Sequence, residues 1–301
     1  MKTIAGIIRC IIAVSAILIA GCGPPDSVSS PGTLLFRSGF EGNVAVSDMD
    51  IAGSDGMDWQ KDLERHEAVS GFWLYNGGDQ SFADLRADPA DSDNRCLYMQ
   101  VDGGNRMQCE LNFKDSADYP QVYVRYRVLW PGNLGNLSQY PERIGWFTFL
   151  EVWEHHNPDE PGDQAGKARW TFSFFKDQGV GEPLYWGLDA QGAQPDWHDL
   201  WSEENRDIPI PFGKWSLFEI LFKRGKGENG RIWIAITPED GEKQVIFDLR
   251  RDTKHPVNPM PLRSFQLWKL YTRSNLVAWM AENHQPISAY YDDFEWWTDI
   301  P

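Results

Sequence analysis

The chain has 301 residues and carries 44 acidic against 28 basic side chains, a formal net charge of −16. That balance argues against nucleic acid as a partner, because a phosphate backbone is held by a basic patch. Fifteen tryptophans and ten tyrosines exceed what a core needs, and flat rings with a polar edge suit a sugar-binding surface.

In chain order, Lys2 and Arg9 precede an apolar stretch from Ile11 to Ala20 and then Gly21-Cys22. The stretch reads as a removable export signal over residues 1–21, since the run of about 12 residues from Cys10 to Gly21 falls short of the roughly 20 that a spanning helix needs. Leu18-Ile19-Ala20-Gly21-Cys22 resembles the lipobox of bacterial lipoproteins. The resemblance implies that Cys22 is lipidated and fixes the mature chain to a membrane; the alternative is an ordinary secretory signal in which the cysteine has no role. Gly23 stands where an inner-membrane retention signal has aspartate, which points to the outer membrane or cell surface. Residues 22–33, rich in Gly, Pro and Ser, read as a tether, and 34–301 as one folded, monomeric domain.

Period-two alternation recurs through that domain and marks it as all-β. In Val122 to Val128 one face is Val122, Val124, Tyr126 and Val128, and the other is Tyr123, Arg125 and Arg127. Similar strands are expected over 146–155, 169–176, 217–223, 231–236, 244–249, 265–273 and 289–297. About ten antiparallel strands in one chain make a two-sheet sandwich. The stretch 178–213 reads as a long loop, with Tyr185, Trp186, Trp197, His198 and Trp201 forming either the wall of a cleft or a structural flap. Cys96 and Cys109 flank the turn Asp102-Gly103-Gly104-Asn105, and both a cross-strand disulfide and two buried thiols fit them.

The first folded strand holds Glu41 and Asn43 near its end, and the last reads Tyr290-Tyr291-Asp292-Asp293. This pair resembles the adjacent terminal strands of concanavalin-like jelly rolls. By that resemblance Glu41, Asn43, Asp292 and Asp293 are expected to hold a structural calcium through hard oxygen ligands. Between the ends, the strand order is similar to that of jelly-roll polysaccharide lyases of the alginate, heparin and glucuronan type. The resemblance rests on Arg106-x-Gln108-x-Glu110, Glu151-x-Trp153-x-His155 and Lys269-x-Tyr271-x-Arg273, each projecting from one face of its strand. Three departures stand out: Glu110 replaces a second arginine, Glu151 or Trp153 replaces a glutamine, and the lysine and tyrosine are two apart rather than four.

Such lyases break a uronic-acid chain by β-elimination. Arg106 suits the sugar carboxylate, because a guanidinium is always charged and forks onto two oxygens. Tyr271, flanked by Lys269 and Arg273, suits proton transfer, and His155 a base. Gln108, Glu110, Glu151 and Trp153 complete the expected substrate surface. A non-catalytic glycan-binding lipoprotein is the alternative. Glycoside hydrolysis ranks below both: its two carboxylates must flank the scissile bond, and Glu151 and Glu154 point to opposite strand faces. Convergence of Arg106, His155 and Tyr271 would favour catalysis, and scatter would favour binding alone.

Overall fold

The structure is a computed structural model that describes residues 31–47, 50–76, 81–117, 119–155, 159–160, 166–192 and 197–301. The export signal, Cys22 and most of the tether lie outside the described residues, and the folded unit runs from Gly32 to Pro301. No described helix is long and apolar enough to cross a membrane.

Seventeen strands are described: β1 Leu34–Ser38, β2 Ala45–Val46, β3 Ile51–Ala52, β4 Val69–Asn76, β5 Phe82–Ala87, β6 Arg95–Val101, β7 Arg106–Phe113, β8 Gln121–Leu129 and β9 Thr148–Glu154. They continue as β10 Arg169–Lys176, β11 Leu184–Gln191, β12 Asp199–Asn205, β13 Trp215–Lys223, β14 Arg231–Pro238, β15 Gln244–Leu249, β16 Leu262–Tyr271 and β17 Ile287–Trp297. The one described α-helix, α1, covers Ser274–Asn283. A back sheet has the order β15-β14-β13-β8-β17-β6-β5 with β1 also on β17, and a front sheet has the order β12-β11-β10-β9-β16-β7-β4. All pairings are antiparallel, and the terminal strands lie side by side, Arg37 opposite Glu295 and Ser38 opposite Phe294. The architecture is the expected all-β sandwich.

Alternation decides which side chains enter the core. On β8, Val122, Val124, Tyr126 and Val128 are buried between the sheets, and on β7 Met107, Cys109, Leu111 and Phe113 face them. Each large apolar side chain so buried contributes about 1.5–3 kcal/mol. The alternate residues of β7, Arg106, Gln108, Glu110 and Asn112, must then point outward from the front sheet. On β16 the register jumps from Phe265 opposite Leu111 to Trp268 opposite Cys109, so three residues face two. This bulge turns Gln266 and Lys269, three apart, onto one face, where Lys269 Nζ donates to Gln266 Oε1 at 2.6 Å.

Two sequence expectations change. The stretch 178–213 holds β11 and β12, two strands of the front sheet. Gly187 masks the pattern: it has no side chain because the Phe175 ring fills the place of a β-carbon. Trp186 is a core residue whose Nε1 donates to the Ile208 carbonyl, and Trp201 leans on the core and donates to that of Asp252. Trp186 is therefore not available to stack on a ligand. The cysteines are free and buried. The turn between β6 and β7 passes from the back sheet to the front sheet, so Cys96 packs with Leu129 and Trp215 while Cys109 belongs to the main core. Burial pushes the Cys96 thiol up to about 12, which leaves it unreactive.

Candidate functional site

The outward face of the front sheet carries charge in a place that is barely solvated. Gln108, Glu110, Glu151, Gln266 and Lys269 are all buried, and buried polar groups persist only with partners. At the centre, Lys269 Nζ meets Glu151 Oε2 at 2.5 Å, and Trp153 Nε1 donates to the same carboxylate oxygen at 2.9 Å. Burial pulls the Lys269 ammonium below the usual lysine range, against the opposing pull of Glu151. Beside this pair, Gln108 Nε2 donates to Glu110 Oε2 at 3.3 Å.

One end of the face is formed where Arg106 and Tyr271 lie opposite each other in register. The Arg106 guanidinium carbon stands 4.2 Å from the Tyr75 ring centroid and 5.7 Å from that of Tyr271. Trp146 packs against Tyr271 at 4.5 Å, and Lys269 Nζ lies 4.9 Å from the same ring. Arg106 Nε is buried with no hydrogen-bond partner, and among the described residues the guanidinium pairs with no carboxylate. Arg106 itself is half-buried, and an anionic group placed here would complete the guanidinium with charge-assisted hydrogen bonds. Trp73 and Tyr75, at 38% and 37% exposed, extend the aromatic surface along β4.

His155 does not join them. It follows β9 at the end where Leu262 pairs with Glu154, whereas Tyr271 pairs with Thr148 at the other end. Its Nε2 lies 2.7 Å from Asp115 Oδ1, and burial holds the imidazole below its ordinary range, with Asp115 and the Phe113 carbonyl opposing. The expected convergence is therefore two-membered, Arg106 with Tyr271, because β9 is too long for one face to gather all three. Arg273, exposed at the start of α1, flanks the cluster beyond the end of β16.

Sequence reasoning overlooks several residues on this face. Tyr75, Trp73 and Trp146 alternate with core residues and are legible as such. Asp189 on β11 is hidden by the loop reading. Its carboxyl has no hydrogen-bond or ion-pair partner among the described residues, and burial, with Asp199 and Glu204 nearby, pushes it up to about 6 against the pull of Arg169.

The calcium expectation meets a different arrangement. Glu41 Oε1 accepts from the Arg95 backbone N–H at 2.5 Å, and the Arg95 guanidinium donates to the carbonyls of Phe40 and Gly42 at 2.9 and 3.1 Å. Asn43 Oδ1 accepts from the Ser54 N–H at 2.6 Å. Arg127 Nη1 lies 3.8 Å from both Asp292 and Asp293, and Asn94 Nδ2 donates to Asp292 at 2.9 Å. Among the described residues no three His, Cys, Asp or Glu side chains are arranged to hold a metal ion. Two guanidiniums, of Arg95 and Arg127, thus stand beside Glu41, Asp292 and Asp293.

A cavity of about 870 Å³ opens on the back sheet, lined by Arg37, Arg125, Arg127, Trp215, Asp293 and Glu295 among others. Volume alone would favour it as the site. Arg125 Nε already lies 2.6 Å from Glu295 Oε2 and Arg127 Nη1 3.8 Å from Asp292 and Asp293, while Arg37 is exposed and its charge solvated, so the half-buried cations of the front face have the stronger claim on an anionic ligand.

No family model and no curated protein matches the chain. Among solved structures, an alginate lyase from Aplysia kurodai aligns with a TM-score of 0.51 at 10% identity, over 89% of this chain and 100% of that one. An endo-β-1,4-glucuronan lyase from Trichoderma reesei aligns with a TM-score of 0.45 at 12% identity, over 79% and 96%. An alginate lyase in complex with an alginate trisaccharide aligns with a TM-score of 0.47 at 12% identity, over 75% and 87%. The first of these carries the assignment, and what it shows is fold: the chain is an antiparallel β-sandwich of the jelly-roll kind found in polysaccharide lyases.

Proposed function

We propose that the protein is a surface lipoprotein, anchored through Cys22, that binds a uronic-acid polysaccharide across the front sheet and cleaves it by β-elimination. The observation that carries this reading is Arg106, a guanidinium held between two tyrosine rings with no anion of its own. A sugar carboxylate would complete it with two parallel N–H···O bonds. Neutralising that carboxylate acidifies the C5 proton, which is the difficulty in eliminating from a uronate.

Tyr271 stands beside Arg106, and its hydroxyl makes no hydrogen bond among the described residues. In the proposed reaction Tyr271 acts as the phenolate, its own proton having gone to solvent: the oxygen takes the C5 proton, the C4–O bond to the leaving sugar breaks as the C4=C5 bond forms, and the same proton passes to the leaving oxygen, which regenerates the phenolate. Tyr271 ends as it began, so atoms and charge balance without another reactant. Lys269 supplies positive charge near the ring, and Glu151 holds Lys269 in place. Trp73, Tyr75 and Trp146 are surfaces for sugar rings. Positioned proton transfer of this kind contributes about 10²- to 10⁴-fold.

The test is the ultraviolet absorbance of the unsaturated product after the mature protein is incubated with a panel of polyuronates. Absorbance that rises for the natural protein and is lost in Tyr271→Phe supports the lyase. Retained binding with no absorbance on any polyuronate would leave a non-catalytic glycan-binding lipoprotein, the reading that needs only the aromatic and cationic surface.

A further inference from the structure

The other end of the front face holds a second group of rings and cations. Arg169 opens β10 opposite Trp153 of β9. Its guanidinium carbon stands 4.0 Å from the Trp197 ring centroid and 5.5 Å from that of Trp153. Lys167 Nζ is 5.5 Å from both rings. The two indoles meet edge to face at 5.3 Å. Gln191 Oε1 accepts from Arg169 Nε at 2.8 Å and fixes the guanidinium plane. Arg169 Nη1 is 3.9 Å from Glu151 Oε1, beyond hydrogen-bond reach, and its terminal nitrogens donate to no acceptor among the described residues.

Trp197 is held at φ 40°, a left-handed conformation that a bulky side chain adopts only where its surroundings impose it, and such residues gather at binding sites. Nothing in the core requires Trp197, which is half-exposed. Its ring does form a wall against Arg169.

Register gives the distance between the two ends. Tyr271 is opposite Thr148 and Arg169 is opposite Trp153, so five residue steps along β9 separate them, ~16 Å at the rise of an extended strand. Between them lies the Lys269–Glu151 pair, whose charges cancel. Cations thus stand against aromatic rings at both ends of the face, Arg106 at one and Arg169 at the other.

We propose that Trp153, Trp197 and Arg169 form a second sugar subsite, which takes a uronate ring against the indoles and its carboxylate on the Arg169 guanidinium. The proposal rests on the reading of the front face as an acidic-polysaccharide site. It adds that a chain is gripped at two places ~16 Å apart along the strand direction, so that short oligomers reaching only one end bind weakly. Arg169 recognises the carboxylate, and Trp197 discriminates a ring from a small anion.

The experiment is calorimetric titration of the natural protein, Trp197→Ala, Arg169→Gln and Tyr271→Phe with a β-1,4-linked hexauronate, the corresponding diuronate and a neutral hexasaccharide. The natural protein is expected to bind hexauronate at least about tenfold more tightly than diuronate. Trp197→Ala and Arg169→Gln should each remove about tenfold of hexauronate affinity and leave diuronate binding unchanged, while Tyr271→Phe keeps both affinities. Hexauronate binding that is undiminished in both Trp197→Ala and Arg169→Gln overturns the subsite and leaves the lyase reading standing. No binding of either uronate by the natural protein overturns both. Equal loss of neutral hexasaccharide binding in Arg169→Gln overturns the carboxylate role. Circular dichroism that matches the natural protein establishes that each variant is folded, and Arg169→Gln keeps the test open should Trp197→Ala unfold.

Discussion

On the back sheet, three outward cations are matched by carboxylates, Arg125 with Glu295, Arg231 with Asp248 at 2.8 Å and Lys243 with Glu219 at 2.7 Å, while Arg37 is exposed to solvent. On the front sheet Arg106 has no anion and Asp189 no hydrogen-bond or ion-pair partner among the described residues, and the close pair, Lys269 with Glu151, is buried. Both sheets bury their inner faces by the same alternation, so this contrast is not required by the fold. Paired charges at a surface are solvated and contribute little. Unpaired charges in a half-dry cleft are costly unless a ligand completes them. Where a sandwich leaves its ionic chemistry incomplete is therefore a better guide to its site than the volume of a cavity.

The sharpest way to break the comparison is to remove one cation from each sheet. Lys269→Met leaves Glu151 buried with only the Trp153 N–H and the more distant Arg169, and should lower unfolding free energy by about 3–5 kcal/mol. Arg231→Met, with Arg231 and Asp248 both partly exposed, should cost less than about 1 kcal/mol. Urea unfolding of the two variants checks both values, and similar losses would mean that the front pair is no more desolvated than the back ones.

A smaller effect is expected where a charge has no protein partner. Arg106→Gln removes a half-buried cation that has no carboxylate partner among the described residues, so stability should hold or rise slightly. Catalytic efficiency on a polyuronate should fall by about 100-fold, equivalent to about 2.7 kcal/mol at 1.36 kcal/mol per decade. Initial rates and thermal unfolding on the same sample separate these outcomes, and loss of both would make Arg106 structural.

Much of this face is legible in the sequence, because period two assigns faces whatever the residues do. Arg106, Gln108, Glu110, Glu151, Trp153, Lys269 and Tyr271 alternate with apolar partners on their strands, and each projects outward as the pattern requires. Distance along a strand is less legible. His155 shares a face with Glu151, but only the register of β9 on β16 reveals that it stands at the far end from Tyr271. The bulge that turns Gln266 toward Lys269 leaves no mark in local composition. In β11 the alternation is broken at Gly187, whose missing side chain answers a ring on the neighbouring strand, and Asp189 is hidden with it.

Asp189 adds a pH dependence to the contrast. Its carboxyl is raised from the usual 3.8 to about 6, so the front face loses a negative charge as pH falls through that value. Affinity for a polyuronate should rise severalfold between pH 7 and 5, and Asp189→Asn should bind at pH 7 as the natural protein does at pH 5. For folding, a carboxyl raised above its unfolded value contributes stability that is complete below about 4 and lost as pH rises to about 6. Thermal unfolding from pH 4 to 7 should therefore decline less steeply in Asp189→Asn, and parallel declines would place the proton elsewhere.

The smallest expected effect concerns metal, and it tests the back sheet's self-sufficiency. Arg95 binds the carbonyls of Phe40 and Gly42, and Arg127 lies beside Asp292 and Asp293; we propose that these cations stand in for a divalent ion between the terminal strands. A chelator should then leave the unfolding temperature within about 1 °C of its starting value, a shift well under 1 kcal/mol for a domain of this size. Arg95→Gln should lower it by several degrees, because two backbone carbonyls and the Glu41 carboxylate lose their cation together. A large fall on chelation, reversed by calcium, would show that an ion completes these carboxylates after all. Incompleteness would then belong to both sheets, and unpaired charge would no longer single out the front face.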